Sequence, residues 1–188
     1  MALDVRSSSQ PRAARPLVVA TMGLPGAGKS TLVRGLCGVL DLHVVDRDLL
    51  RAAMFPRCGF TAAEKAAAFR MLLAAVEVNC ALGRSSIVDG VTFSRRADLE
   101  RLDAVVRAYP VDTVALYLDC PPELARARVA GDAVAGGHPA GDRTPQLVDT
   151  VMLRFDEPPP SAVVLDATQP ADAVLEQALA AIAAVRGG

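Results

Sequence analysis

Residues 22–31 read Met-Gly-Leu-Pro-Gly-Ala-Gly-Lys-Ser-Thr, and the Gly23–x4–Gly28–Lys29–Ser30 spacing inside them demands a strand in front and a helix behind. Gly23, Gly26, Ala27 and Gly28 let successive backbone N–H groups face one anion, and the helix opened by Ser30 and Thr31 adds its positive end. In that geometry Lys29 reaches the β and γ phosphates of a nucleoside triphosphate, and the Ser30 hydroxyl ligates magnesium. ATP with Mg²⁺ is therefore the expected ligand pair. Lysine usage sharpens the reading: in an arginine-rich chain the only lysines are Lys29 and Lys65.

The flanks agree with the motif. Apolar runs at 17–21, 42–45, 86–88, 113–118 and 162–165 alternate with helical patterns at 30–40, 49–54, 62–82, 95–107, 122–130, 146–155 and 171–185. Capping chemistry offers Asp48, Thr61, Ser94 and Thr144 as helix starts. Such alternation predicts an α/β chain with a five-stranded parallel sheet and helices on both faces; joined to the phosphate-loop motif at Gly23–Ser30, the expectation is a P-loop NTPase fold with a small lid near 126–146. The expected organisation is a leader at 1–16, rich in Ser, Arg and Pro and disordered, followed by one domain over 17–188. Residues 131–145 are rich in helix breakers and read either as a lid closing over a nucleotide or as a surface loop, with flanking arginines favouring the lid.

Composition removes several function classes. A net charge of −1 gives no general attraction to nucleic acid or anionic lipid, and no apolar run approaches a membrane span. Without Trp and with 4% aromatic residues, the core must be built from Leu, Val, Ala and Met. Cys37, Cys58, Cys80 and Cys120 form no Cys-x-x-Cys pair, and His43 and His138 lack ligand spacing to them, so buried thiols are expected. The leader lacks the apolar segment of a signal peptide, which reads as cytoplasmic.

The second informative segment, Val45-Asp46-Arg47-Asp48-Leu49-Leu50-Arg51, begins where the second strand should end. Carboxyl ends of strands face the ligand in an open α/β sheet. Asp48 at a helix start suits a general base for an acceptor hydroxyl, with Asp46 as the alternative, and Arg51 shares the helical face of Asp48. Asp89, ending the third strand beside the phosphate loop, is placed for Mg²⁺.

Gly-x-Pro-Gly-x-Gly-Lys-Ser-Thr followed by Arg47-Asp48-x-x-Arg51 resembles the kinase domain of polynucleotide kinases and the wider group of small P-loop kinases. Residues 48–56 are also similar to a segment of chloramphenicol phosphotransferase. The resemblance implies that Asp48 is the base and Arg51 a substrate or phosphate contact. It implies that Ile87-Val88-Asp89-Gly90-Val91-Thr92 faces the Mg²⁺ and acceptor region, with Asp46, Arg51, Asp89 and Thr92 toward the substrate. By the same resemblance Arg126 and catalytic Arg128 neutralise γ-phosphate charge, Arg143 substitutes for an arginine that relatives carry beyond Arg128, and Asp166 belongs to a loop beside adenine.

Three function classes follow. A hydrolytic switch or motor is disfavoured, because Gly90 stands where motors carry the water-polarising Glu after Asp89, and no Asn-Lys-x-Asp occurs. A polynucleotide 5′-hydroxyl kinase wants a basic funnel and stacking aromatics. A small hydroxylated acceptor is preferred, phosphorylated by ATP and deprotonated late by Asp48.

Overall fold

The computed structural model describes residues 15–135 and 144–187. The elements run β1 (Leu17–Met22), α1 (Lys29–Val39), β2 (His43–Asp46), α2 (Arg47–Met54), α3 (Ala62–Ala81) and β3 (Ser86–Asp89). They continue with α4 (Arg96–Val106), β4 (Asp112–Asp119), α5 (Pro122–Ala135), α6 (Pro145–Met152), β5 (Val163–Asp166) and α7 (Ala171–Gly187). The strands form one sheet in the order β2-β3-β1-β4-β5, every pairing parallel.

β1 is buried along its whole length because it is the central strand, and its side chains alternate between two cores. Leu17 and Val19 pack with Leu32, Val33 and Leu36 of α1 and with Val174, Ala178 and Ile182 of α7. Val18, Ala20 and Met22 face the opposite side, toward Phe69, Leu72 and Val76 of α3 and Leu99, Leu102 and Val106 of α4. The expected doubly covered parallel sheet is what the chain builds.

Several boundaries differ from expectation. β4 pairs with β1 from Asp112 to Tyr117, and the Asp112 amide also donates to the Pro16 carbonyl at 2.8 Å, so the ladder takes in the residue assigned to the end of the leader. α2 starts at Arg47, not after Asp48, because Asp46 at the strand end is its cap. α5 runs on to Ala135, so the first five residues of the breaker-rich stretch are helical; a side chain at Gly131 would meet nothing, and an exposed glycine costs a helix only about 1 kcal/mol. The remainder of that stretch, 136–143 with Arg143, lies outside the described residues, as do residues 1–14.

Capping explains the longest helix. The Thr61 hydroxyl accepts from the Glu64 amide at 3.2 Å while Glu64 accepts from the Thr61 amide at 2.8 Å, a reciprocal box opening α3. Ser94 is not the cap of α4, since Arg95 takes that position without a side-chain bond; Thr144 stands at the expected start of α6, also without one. Behind α6 the chain is pinned to the far side of the site. The Phe155 ring packs on Tyr117 at 5.9 Å, the Asp156 amide donates to the Ser94 carbonyl at 2.8 Å, and Asp156 accepts from the Arg96 amide at 2.8 Å. Cys80 and Cys120 are buried thiols as expected, whereas Cys37 and Cys58 are only partly covered. No helix among the described residues is long and apolar enough to cross a membrane.

Candidate functional site

The phosphate loop lies between β1 and α1, at the carboxyl edge of the sheet. Gly26 (φ 82°) tolerates no side chain, because a Cβ there would collide with the Ala125 carbonyl of α5. The start of the loop is fixed by the Gly23 amide donating to the Thr92 carbonyl at 3.1 Å. Lys29 is buried, and its ammonium donates to the carbonyls of Gly23 and Leu24, both at 2.8 Å. One helical position on, the Ser30 hydroxyl donates to Asp89 at 3.2 Å. A hydroxyl and a carboxylate brought together in this way are hard oxygen donors of the kind magnesium takes.

At the end of β2 the capping role expected of Asp48 falls to Asp46. Asp46 accepts from the amides of Asp48 at 2.7 Å and Leu49 at 3.2 Å, capping α2. Burial raises its pKa first; the two amide bonds lower it, and the charges of Asp89 and Asp48 raise it further. Asp48 is released from capping. Its carboxylate meets Arg51 at 2.9 Å and Arg47 at 3.4 Å, one turn and one residue away. Arg51 is only 3% exposed and carries the Phe60 ring 4.7 Å from its guanidinium carbon. Phe60 holds that place with φ 53°, a left-handed backbone conformation costing of order 1–3 kcal/mol in a non-glycine residue.

Gly90 (φ 72°) explains why no glutamate follows Asp89: a Cβ would lie 2.9 Å from the Asp46 carboxylate and 3.0 Å from the Asp48 amide. The α2 cap occupies the room a water-polarising side chain would need.

Two cavities meet at the loop. The first, about 430 Å³, is lined by Gly26, Ala27, Gly28, Lys29, Ser30 and Thr31, with Leu118, Arg128, Ala167, Gln169 and Val174 opposite. The second, about 110 Å³, is lined by Lys29 and Ser30 again, then Arg47, Asp48, Arg51, Lys65, Asp89, Thr92 and Arg154. Lys29 and Ser30 are common to both. An open cleft also passes from Ser30 and Asp89 along Asp46 to Arg34 and Cys37.

Of the expected site residues, Lys29, Ser30, Asp48, Arg51, Asp89 and Thr92 converge on the second cavity. The arginines of α5 do not join them. Arg126 turns to Glu123 and Asp149, tying α5 to α6. Arg128 donates to the carbonyls of Ala27 at 3.5 Å and Ala167 at 3.0 Å and lines the first cavity together with Lys29 and Ser30. Asp166 folds its carboxylate into its own turn, accepting from the Thr168 hydroxyl and amide and from Gln169, which lowers its pKa. Its neighbours Ala167 and Gln169 line the cavity instead. Sequence reasoning assigned no role to Arg47, Lys65 or Arg154. The rarity of lysine was a signal for Lys65; nothing local marks Arg154.

Residues 18–158 match the family described as an AAA domain. Solved structures share the fold: a sugar kinase from Janibacter sp. HTCC2649 is 23% identical at TM-score 0.68, over 89% of this chain and 95% of that one. A gluconokinase from Sinorhizobium meliloti 1021 is 20% identical at TM-score 0.65, over 94% and 96%. The Mycobacterium tuberculosis APS kinase in complex with AMPPNP and APS is 20% identical at TM-score 0.64, over 90% and 96%. Curated proteins provide no match.

Proposed function

The chain belongs to the AAA domain family, and on that premise we propose that it transfers the γ-phosphate of ATP to the hydroxyl of a small acceptor. One observation carries the reading: two cavities join at Lys29 and Ser30, and the second has Asp48 in its wall. ATP suits the first cavity, its phosphates against the loop amides and Arg128, Ala167 and Gln169 around the nucleoside. Magnesium, when bound, would be held by Ser30 and Asp89 and would offset phosphate charge.

In the reaction the acceptor oxygen attacks the γ-phosphorus in line, the bond to the bridging oxygen breaks, and ADP leaves with the electron pair. Asp48 takes the hydroxyl proton, while Arg51 and Arg47 orient its carboxylate. Lys29 exchanges its loop carbonyls for phosphate oxygens and stabilises the charge spread over the transferring group. Asp46, committed to the cap, is the weaker candidate for the base. A small acceptor is favoured over a nucleic-acid strand because the aromatic residues near the second cavity serve packing. Phe69 and Phe93 are buried edge to face, and Phe60 lies on Arg51.

An acceptor panel tests the reading, with ADP release measured and the phosphorylated product identified by mass. Asp48→Asn is expected to keep ATP affinity while slowing transfer roughly 10²–10⁴-fold. An Asn variant as active as the parent, with Asp46→Asn inactive, moves the base to Asp46.

A further inference from the structure

We propose that Phe60 is a positioning residue for phosphate transfer: its ring holds the Arg51 guanidinium against the Asp48 carboxylate in the wall of the second cavity, and this rests on the reading of Asp48 as the base. Arg51 is 3% exposed, lies 2.9 Å from Asp48, and has its guanidinium carbon 4.7 Å from the centre of the Phe60 ring. A guanidinium that keeps water as an alternative partner is free to turn away from its carboxylate. The ring removes that choice. It attracts the cation yet offers no oxygen or nitrogen to accept a hydrogen bond, so the donors of Arg51 are left to Asp48 and to the cavity that both residues line. Arg47, 3.4 Å from Asp48 and with a more exposed side chain, is the weaker hold.

The backbone supplies an independent observation. Phe60 takes φ 53°, while Gly59 beside it, the residue type suited to a left-handed turn, stays out of that region. A turn built only to join α2 to α3 would put the glycine at the strained position. Strain of this kind persists where the surroundings over-determine it. Here they do: the Phe60 amide donates to the Cys58 sulfur at 3.4 Å, and the Gly59 and Thr61 amides on either side donate to Glu64 at 3.1 and 2.8 Å. Glu64 belongs to the capping box of α3, so the ring is aimed from the start of one helix onto an arginine of another.

Taking the ring away admits water to Arg51 and loosens the orientation of Asp48, and catalysis is steep in small displacements of a reacting group. Nucleotide binding should be untouched, because Phe60 does not line the first cavity.

The test compares Phe60→Tyr with Phe60→Leu. Both carry a side chain at the same left-handed position and so share its backbone cost; they differ in the ring. In ¹⁵N-labelled protein, exchange of the Arg51 guanidinium protons with water is read by NMR. Slow exchange is expected in the parent and in Phe60→Tyr, and exchange about tenfold faster in Phe60→Leu, the scale of a desolvated cation–π contact. Equal exchange in the parent and Phe60→Leu overturns the proposal.

A kinetic arm follows ADP release in a single turnover of Mg²⁺-ATP with water as the acceptor, beside the affinity for a non-hydrolysable ATP analogue and the Tm. Phe60→Leu should slow release about tenfold at unchanged affinity, and Phe60→Tyr should restore it. A slow Phe60→Tyr that folds like the parent, or a Phe60→Leu whose loss follows ATP affinity and Tm, reduces the ring to packing and overturns the proposal. Where release to water is too slow to follow, or Phe60→Tyr does not fold, exchange in Phe60→Leu decides. Release at the parental rate in Asp48→Asn strikes the reading of Asp48 as the base, while the exchange of Arg51 still judges whether Phe60 holds it.

Discussion

Arg128 illustrates how one side chain changes meaning when its helix is placed. In sequence it is an arginine ahead of a glycine-rich stretch; in the fold its guanidinium spans the Ala27 carbonyl of the phosphate loop and the Ala167 carbonyl behind β5. On the proposed placement of ATP in the first cavity, a charge held there would serve any nucleotide, whether or not a γ-phosphate is present. Arg128→Ala is therefore expected to weaken ATP and ADP together, by about tenfold for the loss of charge-assisted hydrogen bonds. Titration of both nucleotides checks this, and a loss confined to ATP would return Arg128 to the γ-phosphate.

At the scale of the element, α2 owes its position to a strand that ends directly in a cap. Asp46 closes β2 and its carboxylate at once receives the second and third amides of α2, which leaves Asp48 on the cavity side. Burial is the main cause of the raised Asp46 pKa, so in the folded protein this group binds its proton more tightly than in the unfolded chain. Its ionised form then lowers stability as the pH rises from the ordinary carboxylate range through the raised folded value. Asp46→Asn keeps a capping side chain without the charge. The variant should match the parent in acid and gain on it as the pH rises through that window, while Asp46→Ala loses roughly 0.5–2 kcal/mol of cap throughout. Urea unfolding at several pH values measures both, and an Asn variant that tracks the parent at every pH refutes the electrostatic origin.

For the whole molecule, ligand and fold are linked because the phosphate loop joins the central strand to α1. Mg²⁺ with an ATP analogue at a hundredfold excess over Kd should add about 2.7 kcal/mol, raising Tm by roughly 5–10 °C in a domain of this size. Lys29→Ala should lose most of that shift in a thermal melt; an equal shift in both proteins would place the nucleotide elsewhere. The loop itself was legible in the sequence, as were the alternating strands and helices and the Thr61 cap, because each depends on residues close along the chain: glycines where backbone meets backbone, apolar periods of two or 3.6, a hydroxyl three residues before a glutamate. The sequence also brought Asp48, Arg51 and Asp89 into consideration, since strand ends in a parallel sheet share one edge. It put the helix start at Asp48 where the fold caps α2 with Asp46, and it gave no hint of Arg154. Those choices belong to the tertiary structure. The order β2-β3-β1-β4-β5 and the docking of the 154–157 segment on Ser94 and Tyr117 bring the α3 lysine and the arginine after α6 to one cavity, and turn Arg128 toward another. Local patterns fix backbone geometry; only the packed sheet fixes which distant side chains share a space.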